Sequence, residues 1–96
     1  MDALNRAFAR YNRLYFRNRL PHYTVVWSKC KKWNAEIVYD QRIISISVHL
    51  EGWGSLWNLA LLHEMAHAAY PNAGHGKRWH SEMHRLARAG AFDPWW

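Results

Sequence analysis

Two histidines four residues apart, His63 and His67, with Glu64 directly after the first, set the tightest limit on how this chain can fold. His63-Glu64-Met65-Ala66-His67 spells H-E-x-x-H inside a segment that otherwise reads as a helix. Residues four apart stack on one helix face, so both imidazoles can reach a single metal ion while the Glu64 carboxylate lies close beside it.

The chemistry needs those residue types at that spacing. Neutral imidazole nitrogens bind zinc at about 2.0–2.1 Å, and a catalytic site uses three protein ligands with water in the fourth position. Zinc lowers that water's pKa to about 7, and an adjacent carboxylate can take its proton and later pass it to a leaving amine. Glu64 is the candidate general base. The competing explanation is that two of the seven histidines fell four apart by chance on a helix that only packs. The Glu at the required position and the apolar lead-in favour the metal.

A third donor must come from elsewhere, and His75, His80, Glu82 and His84 lie downstream. Trp79, Met83 and Leu86 mark the expected buried face of the last helix, and His75 precedes Trp79 by four, on the same side. Gly74 and Gly76 flank it and let the backbone approach closely. His80 and His84 lie about 100° and 140° round from Trp79 and fit an outward position. Helical phase ranks His75 first and leaves Glu82 as the rival ligand. Failing that, Glu82 could accept the free ring N–H of a ligating histidine.

Along the rest of the chain, residues Asp2 to about Asn18 read as an amphipathic helix with Leu4, Phe8, Tyr11 and Tyr15 on one face, stopped by Pro21. Three β-rich runs follow: Thr24 to Ser28, Ala35 to Tyr39 and Ile43 to Val48. Asp40-Gln41-Arg42 is a hairpin turn and Lys29 to Asn34 a longer polar connection, which together predict a small three-stranded antiparallel sheet. In the third strand Ile44, Ile46 and Val48 share one face and Ser45, Ser47 and His49 the other. Gly52 and Gly54 break the chain, and Ser55 is the expected N-cap of a helix from Leu56 to Tyr70. A last helix spans Gly76 to Ala89 with Gly90 as its C-cap. The resulting class is α+β.

With 96 residues the chain suits one domain, 1–96, whose core gains from seven Trp, five Tyr and three Phe. Cys30 is alone, so no disulfide framework is expected, which suits a reducing cytosol. No apolar run has signal-peptide or membrane-span length, and a cytoplasmic protein without a membrane partner is expected. The net charge of +6 favours anionic partners. Arg6, Arg10, Arg13 and Arg17 recur at helical spacing as a basic stripe, a possible nucleic-acid contact or simply a solvated face.

These residues resemble the SprT-like metallopeptidases, whose eukaryotic members include the Spartan proteases of DNA–protein crosslink repair. Phe8-Ala9-Arg10-Tyr11-Asn12-Arg13-Leu14-Tyr15-Phe16 is similar to the family's opening helix, and Val25-Val26-Trp27-Ser28 to its first strand. Leu61-Leu62-His63-Glu64-Met65-Ala66-His67-Ala68 is similar to the active-site helix. Gly74-His75-Gly76-Lys77-Arg78-Trp79 resembles the HG-x-x-aromatic element that carries the third zinc ligand. The YgjP-like peptidases share a similar arrangement. The resemblance implies a minimal zincin-like domain with one zinc ion on His63, His67 and His75. The paired cysteines of the family's C-terminal zinc ribbon have no counterpart in this sequence, so the resemblance implies the peptidase domain alone. Lys29, Lys31 and Lys32, with the arginine stripe, could serve a DNA contact instead.

The expected activity is therefore hydrolysis of peptide bonds, with substrate extended along an open edge of the strand from Ile43 to His49. Tyr39, His49, Tyr70 and Arg78 are candidate donors to the transition-state oxyanion. Trp53 and Trp57 are candidate cleft residues. The alternative is a non-catalytic, zinc-stabilised basic module binding nucleic acid or a protein partner. Closed structural sites want four protein ligands, commonly including Cys, and Cys30 is far from the motif.

Overall fold

The first helix is set by Asp2, whose side chain accepts the backbone N–H of Asn5 and so caps α1 (Ala3–Tyr15). The computed structural model describes residues 2–30 and 32–95, so Met1, Lys31 and Trp96 lie outside the described residues. After α1 come β1 (Thr24–Ser28), β2 (Ala35–Val38), β3 (Ile43–Ser47), a 3-10 segment (Val48–Leu56), α2 (Trp57–Ala69), α3 (Lys77–Arg88) and a short 3-10 turn (Asp93–Trp95). None of the described helices is long and apolar enough to cross a membrane.

The α+β class stands, but the sheet is mixed rather than antiparallel, in the order β1-β3-β2. β2 and β3 form the expected antiparallel hairpin, with Ile37 opposite Ile44, whereas β1 runs parallel to β3 with Val25 opposite Ile44. The reason lies in residues 29–34. This connection passes over the C-terminal end of β3, where the Ser47 N–H donates to the Asn34 carbonyl and the Ser47 hydroxyl to that of Cys30. Chain leaving β1 thus returns on the far side of β3. As a result β3 is the central strand and has no open edge, which overturns the expectation that substrate could pair along it.

The two edges differ. On β1 the side-chain amide of Asn5 accepts from the Val25 N–H and donates to the Val25 carbonyl, both at 2.9 Å, so α1 covers that edge. β2, by contrast, pairs with β3 alone among the described strands.

Pro21 does not end α1. The helix stops at Phe16, and Arg17 and Asn18 turn left-handed with φ of 54° and 58°. The Asn18 N–H bonds back to the Asn12 carbonyl, six residues earlier. Ser55 does not cap α2 either. Its carbonyl accepts from the Asn58 side chain and its hydroxyl from the Trp95 indole.

α2 lies at the centre, buried on almost every side, with Leu61, Leu62, Met65 and Ala66 inaccessible to solvent. It packs between Leu4, Phe8 and Tyr11 of α1, Ile44 and Ile46 of β3, and Leu86 of α3. Each such aliphatic or aromatic side chain contributes roughly 1.5–3 kcal/mol on leaving water. Tyr11 donates to the Asn58 side chain at 2.7 Å and so ties α1 to the first turn of α2. A helix held this tightly is a rigid base for whatever it displays.

Candidate metal centre

His63 and His67 stand one helical turn apart on α2 with ring centroids 5.1 Å apart, as their spacing predicts. His75 arrives from the loop between α2 and α3. There a turn from Tyr70 to Ala73 leads into Gly74, whose φ of 54° suits glycine, and the Gly76 N–H closes onto the Ala73 carbonyl at 2.9 Å. A Cβ at Gly76 would sit 3.0 Å from that carbonyl oxygen. Both glycines thus ease the turn that brings His75 round.

The outcome is convergence of three Nε2 atoms: 3.1 Å from His67 to His75 and 3.3 Å from His75 to His63. A tetrahedral ion with bonds of about 2.0–2.1 Å places its ligands about 3.3 Å apart, so the spacing matches a zinc-sized ion. Ring chemistry agrees. His63 is pushed down to about 4 by burial and by its neighbours His67 and His75, and His67 is lowered by burial and by His75. Both are therefore neutral near pH 7, the form that ligates metal. The buried Nδ1 of His67 has no hydrogen-bond partner. A lone pair facing inward on Nε2 puts the proton on that Nδ1.

Trp79 holds the cluster from α3. Its ring centroid lies 4.8 Å from His63, 5.4 Å from His67 and 4.6 Å from His75, nearly parallel to His67 and edge-on to His75. In the sequence Trp79 marks the phase of His75 and closes the HG-x-x-aromatic element, but its contact with all three rings was not foreseen. The i, i+4 spacing of His75 and Trp79 carried the signal.

Glu64 is buried, its Oε2 3.8 Å from the His63 Nε2. Burial, then the charge of Glu36, raises its carboxyl to about 7. With His63 neutral, that contact is not an ion pair. Glu64 and His63 lie on one wall of a cleft of about 420 Å³ bounded by Asn34 and Ala35 at the start of β2 and by Leu50, Trp53 and Leu56 of the 3-10 segment. Trp53 is 64% exposed there, on a kink where Gly54 takes φ 69°. Trp57 instead packs edge-on against Trp27 at 6.0 Å.

Glu82 stands apart from the three histidines. Arg85 donates to both of its oxygens, at 2.6 and 2.9 Å, so its carboxylate neither joins the cluster nor accepts the His67 Nδ1 proton. His80 and His84 are exposed, as their phase predicts. Of the four oxyanion donors considered, none lines the cleft, and Tyr39 is near enough to feel the charge of Glu64. His49 is paired with Ser47, Tyr70 borders a cavity on another face and Arg78 is exposed. Arg6, Arg10, Arg13 and Arg17 are all exposed, Arg17 beyond the end of α1.

Within the described residues, then, three histidines form a group able to hold a metal ion. The family model described as SprT-like family matches residues 4–94, nearly the whole chain. No curated protein matches it.

Proposed function

The chain belongs to the SprT-like family, and on that premise we propose that it is a zinc-dependent metallopeptidase. In this reading His63, His67 and His75 hold the ion and Glu64 is the general base. The observation that carries it is the meeting of three imidazoles, the His75 Nε2 lying 3.1 Å from that of His67 and 3.3 Å from that of His63, beside a buried carboxylate.

Zinc held there would supply Lewis acidity, polarising a scissile carbonyl and acidifying a water. The remaining work belongs to the chain. Glu64 takes the water's proton and passes it to the departing amine, and its burial keeps that proton from bulk solvent. An extended peptide adds to the outer edge of β2, which borders the cleft at Ala35, while Asn5 keeps the edge of β1 closed. A purely structural zinc would want a fourth protein ligand. The cluster contains three donors among the described residues, and Cys30 lies near Ser47 at the end of the sheet.

The test is a pair of measurements on purified protein. Zinc content should be one per chain in the parent and in Glu64→Gln, with cleavage of an unfolded basic protein lost in the variant alone. Cleavage by Glu64→Gln at the parent's rate would remove Glu64 from the mechanism, and a parent without zinc affinity would end the reading.

A further inference from the structure

On a different face, a cavity of about 490 Å³ opens between the end of α1, the end of α2 and α3. Its floor is apolar, with Phe16, Leu20 and Ala68 buried, and its mouth carries exposed Arg17, Arg19 and Tyr70. Neither Arg17 nor Arg19 has an ion-pair partner among the described residues. The one carboxylate in the wall, Glu82, is already taken on both oxygens by Arg85, whose guanidinium lies over the Phe16 ring at 5.4 Å.

The loop that presents the two arginines is built, not loose. Arg17 and Asn18 hold left-handed backbone that non-glycine residues rarely adopt. Asn12 clamps this shape from α1. Its amide donates to the Leu20 carbonyl at 3.1 Å and accepts the Leu20 N–H at 3.2 Å, and its own carbonyl accepts from Asn18. Asn12 thereby fixes where Arg17 and Arg19 stand at the mouth of the cavity.

We infer that this cavity binds a nucleoside phosphate, with Arg17 and Arg19 on the phosphate and the base over the apolar floor beside Tyr70. Forked guanidiniums match the oxygens of a doubly charged phosphate better than a single carboxylate does. The apolar floor and the phenol ring suit a planar base, which stacks on aromatic and apolar surfaces. The volume lies within the roughly 300–1,000 Å³ typical of small-ligand sites. The same group could arrive as a free mononucleotide or as the phosphorylated end of a strand.

Calorimetry on the full chain at low salt distinguishes these. Adenosine monophosphate should bind one per chain, at least tenfold tighter than inorganic phosphate or adenosine alone. Arg17→Gln with Arg19→Gln should weaken it at least tenfold without changing the thermal midpoint. Lys77→Gln with Arg88→Gln, which removes equal charge from α3, should not. A short 5′-phosphorylated oligonucleotide binding tenfold tighter than the mononucleotide assigns the site to strand ends, and equal affinity assigns it to free nucleotide. Inorganic phosphate binding as tightly as the nucleotide, a phosphoserine peptide binding more tightly, or an unchanged arginine double variant would each overturn the inference.

Discussion

The Trp79 indole lies nearly parallel to the His67 imidazole, 23° between planes and 5.4 Å between centroids, and the same indole touches His63 and His75. Three rings that come from a helix and a loop are thereby packed against one rigid surface on α3. This contact acts through orientation, since carbon cannot coordinate an ion. Positioning of this kind, like that from hydrogen-bonded neighbours, sets how much of the binding energy is lost to ordering the ligands.

Trp79→Ala should therefore lower zinc affinity by about 10–100-fold, the range typical when groups that orient ligands are removed. Trp79→Phe should recover most of it, because a ring still fills the space. Competition against a chromogenic chelator measures both. Equal affinity in all three proteins would show that the histidines orient themselves.

His75→Ala and Glu82→Ala separate a donor from a neighbour. The first should lose zinc. The second should keep it, since Arg85 occupies both Glu82 oxygens, and should cost about 1 kcal/mol of stability for a partly exposed pair. Metal analysis and urea unfolding on the two variants report the two effects independently.

What could be read from the residues was local. The H-E-x-x-H spacing and the phase of His75 against Trp79 need only helical geometry, and the structure brings those rings together. The order of the strands was not legible. It depends on residues 29–34 crossing over Ser47, a pairing between segments some fifteen residues apart that no hydrophobic alternation encodes. Pro21 and Ser55 misled for a related reason: each has the composition of a boundary, but Arg17, Asn18 and the Asn58 side chain set the boundaries. The signal passed over was Asn5 and Asn12, seven apart inside an otherwise good helix. Asparagine is a poor helix former, and both residues here bind the backbone of a neighbouring segment.

Tyr11→Phe should destabilise the fold by about 1–3 kcal/mol, because it removes the partner of a buried Asn58 oxygen while leaving that oxygen away from water. Burial, the largest influence on Tyr11, raises its phenol, so the hydroxyl stays protonated and donating throughout the neutral range. A urea midpoint unchanged from the parent would mean that Asn58 finds another donor.

In the metal-free protein, Glu64 gives stability a definite pH dependence. Its carboxyl moves from an ordinary 4.5 to about 7 on folding, chiefly through burial. A carboxyl raised in the folded state holds its proton more tightly there, so the folded form is favoured most below pH 4.5. That advantage falls as pH rises toward 7 and is fully lost above it. Such a shift corresponds to roughly 3 kcal/mol. Glu64→Gln, neutral at every pH, should escape the loss. Relative to its own difference from the parent at pH 4, the variant should gain stability through pH 5–7 and level off near pH 8. Urea unfolding in the presence of a chelator follows this directly. Parallel pH profiles for the two proteins would place the Glu64 carboxylate in contact with water, contrary to the burial observed.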